Sequence, residues 1–158
     1  MLEALAEALQ ASALSRSLAA SVWLYPLVNA AHIVGIALLF GAIVPLDLRL
    51  AGCWKTVRVA SLSRVLVPVS AAGLVLAAGT GALLFATRPL DYLREPLFAL
   101  KLGLIALALV NAWWLRRSAP WRARERSGGT TPGWRLAGAA SMLLWLAAIT
   151  VGRLIGYR

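Results

Sequence analysis

Residues 22–44 read VWLYPLVNAAHIVGIALLFGAIV, an apolar run whose only acidic or basic side chain is His32. A run of this length decides the fold class. About 20 mostly apolar residues cross a hydrocarbon layer about 30 Å thick, and a helix pairs its own backbone groups where water cannot. Three more such runs follow: Val65–Ala86, Leu97–Leu115 and Leu136–Ile155. Charge, proline or glycine bounds each of them. Pro45 closes the first and Arg64 opens the second. Arg88-Pro89 ends the second, Pro96 precedes the third, Arg116-Arg117 ends it, and Pro132-Gly133 precedes the fourth. The expected fold is all-α, a polytopic membrane bundle of four transmembrane helices over residues 21–158.

Composition agrees. Of 158 residues, 61% are hydrophobic and 14% charged, against about 45–50% and about 25% in soluble domains. The charge is lopsided, with 16 Lys+Arg against 6 Asp+Glu. A single cysteine, Cys53, excludes an intramolecular disulfide framework and is read as an inert thiol. One histidine and two methionines leave little for a self-contained metal site. These features exclude a secreted disulfide scaffold, a disordered tail and most soluble enzymes. No metalloprotease motif, phosphate-cradling glycine loop or Ser-His-acid set supports hydrolysis. Gly128-Gly129 followed by Thr130-Thr131 reads as a flexible turn.

Residues 1–20 differ from the spans. Leu2, Leu5, Leu9, Leu14 and Leu18 recur at mostly helical intervals, with Glu3, Glu7 and Gln10 elsewhere on the wheel. The first charges are acidic, unlike those of a signal peptide. The expected element is one amphipathic helix lying at the membrane interface, with a loosely ordered tail as the alternative.

Loop charge gives orientation. The loops after the first and third spans carry ten Lys and Arg: Arg49, Lys55, Arg58, Arg64, Arg116, Arg117, Arg122, Arg124, Arg126 and Arg135. The other side has six, Arg16, Arg88, Arg94, Lys101, Arg153 and Arg158. Both termini are therefore expected outside, with the basic loops cytoplasmic. Trp113, Trp114 and Trp121 among the arginines of Trp113–Arg126 suit a headgroup belt. The same interleaving occurs in single-strand nucleic-acid binders, but beside a span the lipid bilayer is the expected partner and nucleic acid is not.

Ionisable groups in hydrocarbon are costly and mark functional positions. The spans hold three: His32, Lys101 and Arg153. None has a central carboxylate, since Asp47 falls beyond Pro45. At about 1.5 Å per residue, Lys101, Arg153 and Thr80 share one outer layer, with His32 somewhat deeper. Tyr25, Asn29, His32 and Gly35 lie close to one helical face, and Arg153 and Tyr157 share another one turn apart. Gly35 is expected to leave modest room beside the imidazole, narrowed by Ile36. Gly73, Ala77 and Gly81 form a small-residue ladder suited to close helix packing.

This set suits a b-type haem: neutral His32 as axial and metal ligand, Lys101 and Arg153 pairing the propionates, Asn29 orienting the imidazole or a distal ligand, and Tyr25 and Tyr157 completing the pocket. Met142 lies at the wrong height to be a second ligand, so the iron would be five-coordinate or share a neighbouring subunit's ligand. Other readings stay open. His32 can serve only as a hydrogen bond between helices while Lys101 and Arg153 snorkel to the headgroups. The ligand can be a quinone, copper or a small anion. The chain can also be a non-catalytic subunit or assembly factor packed against a membrane-protein partner, or a homo-oligomer. Whether it is an enzyme is left open.

Three stretches together carry a resemblance: Trp23-Leu24-Tyr25-Pro26 with Asn29-Ala30-Ala31-His32-Ile33-Val34-Gly35, then Leu46-Asp47-Leu48-Arg49-Leu50, then Gly152-Arg153-Leu154-Ile155. The combination resembles an uncharacterised family of bacterial four-helix inner-membrane proteins, which implies fold and an inner-membrane location. A looser likeness extends to copper-resistance D proteins and HemJ-type protoporphyrinogen oxidases, through a histidine on an early helix and a lysine opening a later one, here His32 and Lys101. In HemJ-type enzymes that histidine is tied to haem, which implies His32 as a ligand.

Overall fold

The computed structural model describes residues 1–123 and 130–157. The described residues form eight helices and no strand: α1 (Leu2–Gln10), α2 (Ala13–Ala20), α3 (Leu24–Ala51), α4 (Val59–Thr87), α5 (Pro89–Arg94), α6 (Pro96–Arg117), α7 (Ala119–Arg122) and α8 (Pro132–Ile155). Four of these, α3, α4, α6 and α8, are long and apolar enough to cross a membrane. Their outward surfaces carry large apolar side chains such as Ile33, Val34, Val65, Val75, Leu107 and Leu143. A soluble protein rarely exposes so continuous an apolar surface. The expected turn at Gly128-Gly129, and the belt residues Arg124 and Arg126, lie outside the described residues.

Two helix ends differ from the sequence reading. α3 runs through Pro45 to Ala51, and α4 begins at Val59 and runs through Pro68. A proline removes one backbone bond, and breaking the helix within an apolar layer would strand several. The extension makes Asp47 part of α3, 5% exposed, facing Ser141 of α8 and with Oδ2 accepting no hydrogen bond. α3 stops at Gly52, whose φ of 114° is left-handed, with the Cys53 and Gly52 amides closing on Leu48 O and Arg49 O.

Arg49, counted by its sequence among the loop cations, belongs to α3 and is turned into the fold. It is 2% exposed, and its guanidinium donates to the carbonyls of Val57 and Lys55, which pins the short α3–α4 connection. A charged donor is worth about 1.5–3 kcal/mol per bond. Arg49→Leu should therefore lower the unfolding free energy in detergent by about 2 kcal/mol, measured by titration with dodecyl sulfate; an unchanged midpoint would contradict that role.

The N-terminal segment is two helices, not one. Ser12 interrupts it by capping α2, its Oγ accepting from the Ser15 amide. Ser15 Oγ donates to Ala86 O at 2.7 Å, docking α2 on the end of α4. Ala6 and Leu18 are buried, while Leu5, Leu9 and Leu14 stay exposed along one side.

The long helices pack in the order α4–α3–α8–α6. Glycines set the close approaches. A Cβ on Gly35 would lie 2.6 Å from Ala77 N, and one on Gly138 would lie 2.7 Å from Asp47 O. Asn111 Nδ2 donates to Ala137 O at 2.9 Å, tying α6 to α8. α4 and α6, though consecutive, keep every Cα pair more than 8 Å apart. Side chains fill this wide seam. Leu74 and Ile105 pack on the buried Leu39–Ala108–Trp145 cluster, and Phe85 stacks on Phe98 at 5.5 Å.

Candidate functional site

The candidate site lies at the end of the bundle where α3 and α6 begin and α4 and α8 finish. His32 is one turn above Gly35, the point where α3 touches α4, so its ring enters the α3–α4 seam. Nδ1 lies 2.9 Å from Ala77 O and 3.1 Å from Thr80 Oγ1. Two observations fix where the proton sits. A carbonyl can only accept, and the Thr80 hydroxyl already donates to Leu76 O at 2.6 Å. A bare Nδ1 would face acceptor lone pairs, so Nδ1 carries the hydrogen and donates to Ala77 O. In neutral imidazole the proton on one nitrogen leaves a lone pair on the other. Nε2 is that nitrogen, and it makes no hydrogen bond among the described residues.

The room for the ring comes from Gly81. A Cβ there would lie 3.1 Å from His32 Cε1 and 3.5 Å from Nδ1. Gly35, expected to give that room, is instead the helix contact itself, with Gly73 O 3.0 Å from its notional Cβ. The Gly73–Ala77–Gly81 ladder thus does two things. Gly73 and Ala77 admit α3, and Gly81 admits the imidazole.

Lys101 comes from α6 and lies along α8. A Cβ on Gly152 would sit 3.1 Å from Lys101 Cε and 3.2 Å from Nζ. The ammonium is half-buried and has no hydrogen bond or ion pair among the described residues. An unpaired cation in this position is an electrostatic site for an anionic group.

The other expected residues lie further out. Asn29 and Tyr25 are exposed on α3. Arg153 of α8 and Tyr157, just past its end, are exposed and bound to each other, with Arg153 Nη2 donating to Tyr157 OH at 2.9 Å and the guanidinium 4.6 Å from the ring centre. Thr80 touches His32 and Lys101 is half-buried, whereas Tyr25, Asn29, Arg153 and Tyr157 are exposed. Tyr92 of α5 packs against Phe85 and Phe98, with ring centres 6.0 and 5.2 Å away. Burial pushes its phenol above the ordinary value, reinforced by Tyr25, opposed by Arg88 and reinforced by Asp91.

Sequence reasoning passed over three contributors: the Ala77 carbonyl, Gly81 and Gly152. The carbonyl belongs to a backbone that every residue shares, so no side-chain pattern marks it. The glycines carry a usable signal, since each is a missing side chain at the depth of a long polar one on another helix. No cluster of three or more His, Cys, Asp or Glu side chains that could hold a metal ion occurs among the described residues. In comparisons with known proteins, no family model, curated protein or solved structure matches this chain.

Proposed function

We propose that this is a small multi-pass membrane protein that holds a ligand on the free Nε2 of His32, and that b-type haem is the ligand its donor set fits best. The observation that carries the reading is the Nδ1–H donation to Ala77 O, at 2.9 Å. Histidines that bind metals typically give their other ring N–H to a carbonyl or carboxylate, which fixes the tautomer and raises the basicity of the coordinating nitrogen. His32 has that partner. Lys101 supplies a cation without a counter-ion for one propionate, and Arg153 with Tyr157 supplies a donor pair for the second. Bound there, haem would supply one-electron chemistry, serving electron transfer or haem handling. The resemblance of His32 to the haem-linked histidine of HemJ-type proteins supports the same reading. The charge asymmetry of the loops supports an inner bacterial membrane, with both termini and the site on the outer side.

One observation favours a second reading. The bond from His32 to Ala77 O already ties α3 to α4, and interhelical bonds of this kind stabilise bundles without binding anything. The chain would then be a non-catalytic subunit or assembly factor. A carrier of copper has only one imidazole to offer; a carrier of a small anion would use Lys101.

The test is the visible absorption of detergent-purified protein, air-oxidised and then reduced with dithionite. A Soret band that shifts on reduction is expected, and colourless protein from haem-replete cells would overturn the haem reading.

A further inference from the structure

At the opposite end of the bundle, the wide seam between α4 and α6 opens into a cleft. Its volume is about 300 Å³ and it is lined by Ser63 and Val67 of α4, Arg116 of α6, and Trp121 and Arg122 of α7. That size falls at the small end of ligand sites. The cleft has a built wall. Ser118 caps α7 by accepting from the Trp121 amide, and the Trp121 indole, 6% exposed, packs edge-on against Trp134 with ring centres 6.0 Å apart. Arg122, the residue after Trp121, and Arg116 of α6 both line the cleft. Both guanidinium groups are exposed and neither has an ion pair or hydrogen bond among the described residues. Arg117, the neighbour of Arg116, is different: it lies over the Trp113 ring at 4.4 Å and outside the cleft.

We infer that this cleft binds the phosphodiester headgroup of one anionic phospholipid. Two guanidinium groups with no partner among the described residues match a phosphate, and arginine offers planar, bidentate donors to it. The position matches a lipid and not a soluble anion. α6 ends and α4 begins here, at the level where a spanning helix meets the headgroups. Val67 gives the cleft an apolar floor beside the guanidinium groups, the surface that the start of an acyl chain would meet. Basic pockets between spanning helices recognise anionic headgroups in this way. The inference does not depend on what His32 holds.

The test uses the full chain in detergent and native mass spectrometry. The probes are dioleoylphosphatidylglycerol, dioleoylphosphatidylcholine and inorganic phosphate. One phosphatidylglycerol should bind saturably, and phosphatidylcholine should not. Arg116→Gln and Arg122→Gln should each weaken binding roughly fivefold, the expected contribution of one basic residue at a membrane surface. Arg117→Gln removes the same charge and should leave binding unchanged. Equal weakening by Arg117→Gln would show diffuse attraction and overturn the site. So would equal binding of phosphatidylcholine. Binding of inorganic phosphate with the same response to the variants would overturn the lipid assignment.

Discussion

Replacing Gly35 by alanine should lower the unfolding free energy by about 1–3 kcal/mol, and replacing it by leucine should prevent the bundle from forming. The reason is what the added carbon would meet. Its neighbours are Ala77 N at 2.6 Å, Ala77 Cα at 3.0 Å and Gly73 O at 3.0 Å, all backbone atoms of α4. A flexible side chain could turn aside, but a helix backbone has to move as a body. Separation of α3 from α4 would also break the bond from His32 to Ala77 O, so fold and site fail together. Gly41, Gly79 and Gly103 provide the control, because a Cβ at any of them meets nothing within 4 Å. Their alanine variants should stay within about 0.5 kcal/mol of the parent. Dodecyl sulfate titration followed by near-ultraviolet circular dichroism reads all four. A Gly35→Ala protein as stable as Gly41→Ala would contradict the packing described for α3 and α4.

The second large effect concerns His32. If His32 holds haem as proposed, His32→Ala should abolish the Soret band, since no other imidazole exists in the chain to replace it. The same variant loses one interhelical hydrogen bond, worth about 0.6–2 kcal/mol in a membrane bundle. That loss of stability is expected whether or not His32 binds anything, so stability alone does not separate the two readings. Gly81→Ala does. It keeps the imidazole but places a carbon 3.1 Å from Cε1, which tilts the ring. Disturbing the support of a metal-binding histidine costs about 10–100-fold in affinity. Gly81→Ala should therefore weaken the band by a similar factor in protein that still folds. A full-strength band in His32→Ala would place the ligand elsewhere.

The sequence is informative about the spans and about depth, and much less so about neighbours. Four runs of apolar residues became four helices, because length against bilayer thickness is a strong constraint. Counting residues down each span puts Lys101, Arg153 and Thr80 in one layer with His32 deeper; in the structure His32 Nδ1 lies 3.1 Å from Thr80 Oγ1. The packing order α4–α3–α8–α6 does not follow from such counting. A helix that is apolar all round carries no stripe to show which side faces a partner. Small residues give the remaining clue, and Gly73, Ala77 and Gly81 were readable as a contact ladder. Which glycine touches a helix and which admits a ring depends on the rotation of α3 against α4, which spacing alone does not fix. Pro45 misled about the end of the first span, since proline punctuates helices in water but is carried through where lost backbone bonds cannot be replaced. Arg49 misled in another way. Its charge counts toward loop asymmetry, yet its side chain is spent inside the fold.

The central claim is that His32 is held with Nδ1 protonated and Nε2 free to coordinate. Because the chain has one histidine, protein labelled with ¹⁵N-histidine gives one pair of ring signals that need no assignment by mutation. The account predicts a proton-bearing Nδ1 and an Nε2 that is unprotonated in the ligand-free protein and shifts further when haem is added. A proton on Nε2 with a bare Nδ1, unchanged by haem, would contradict it.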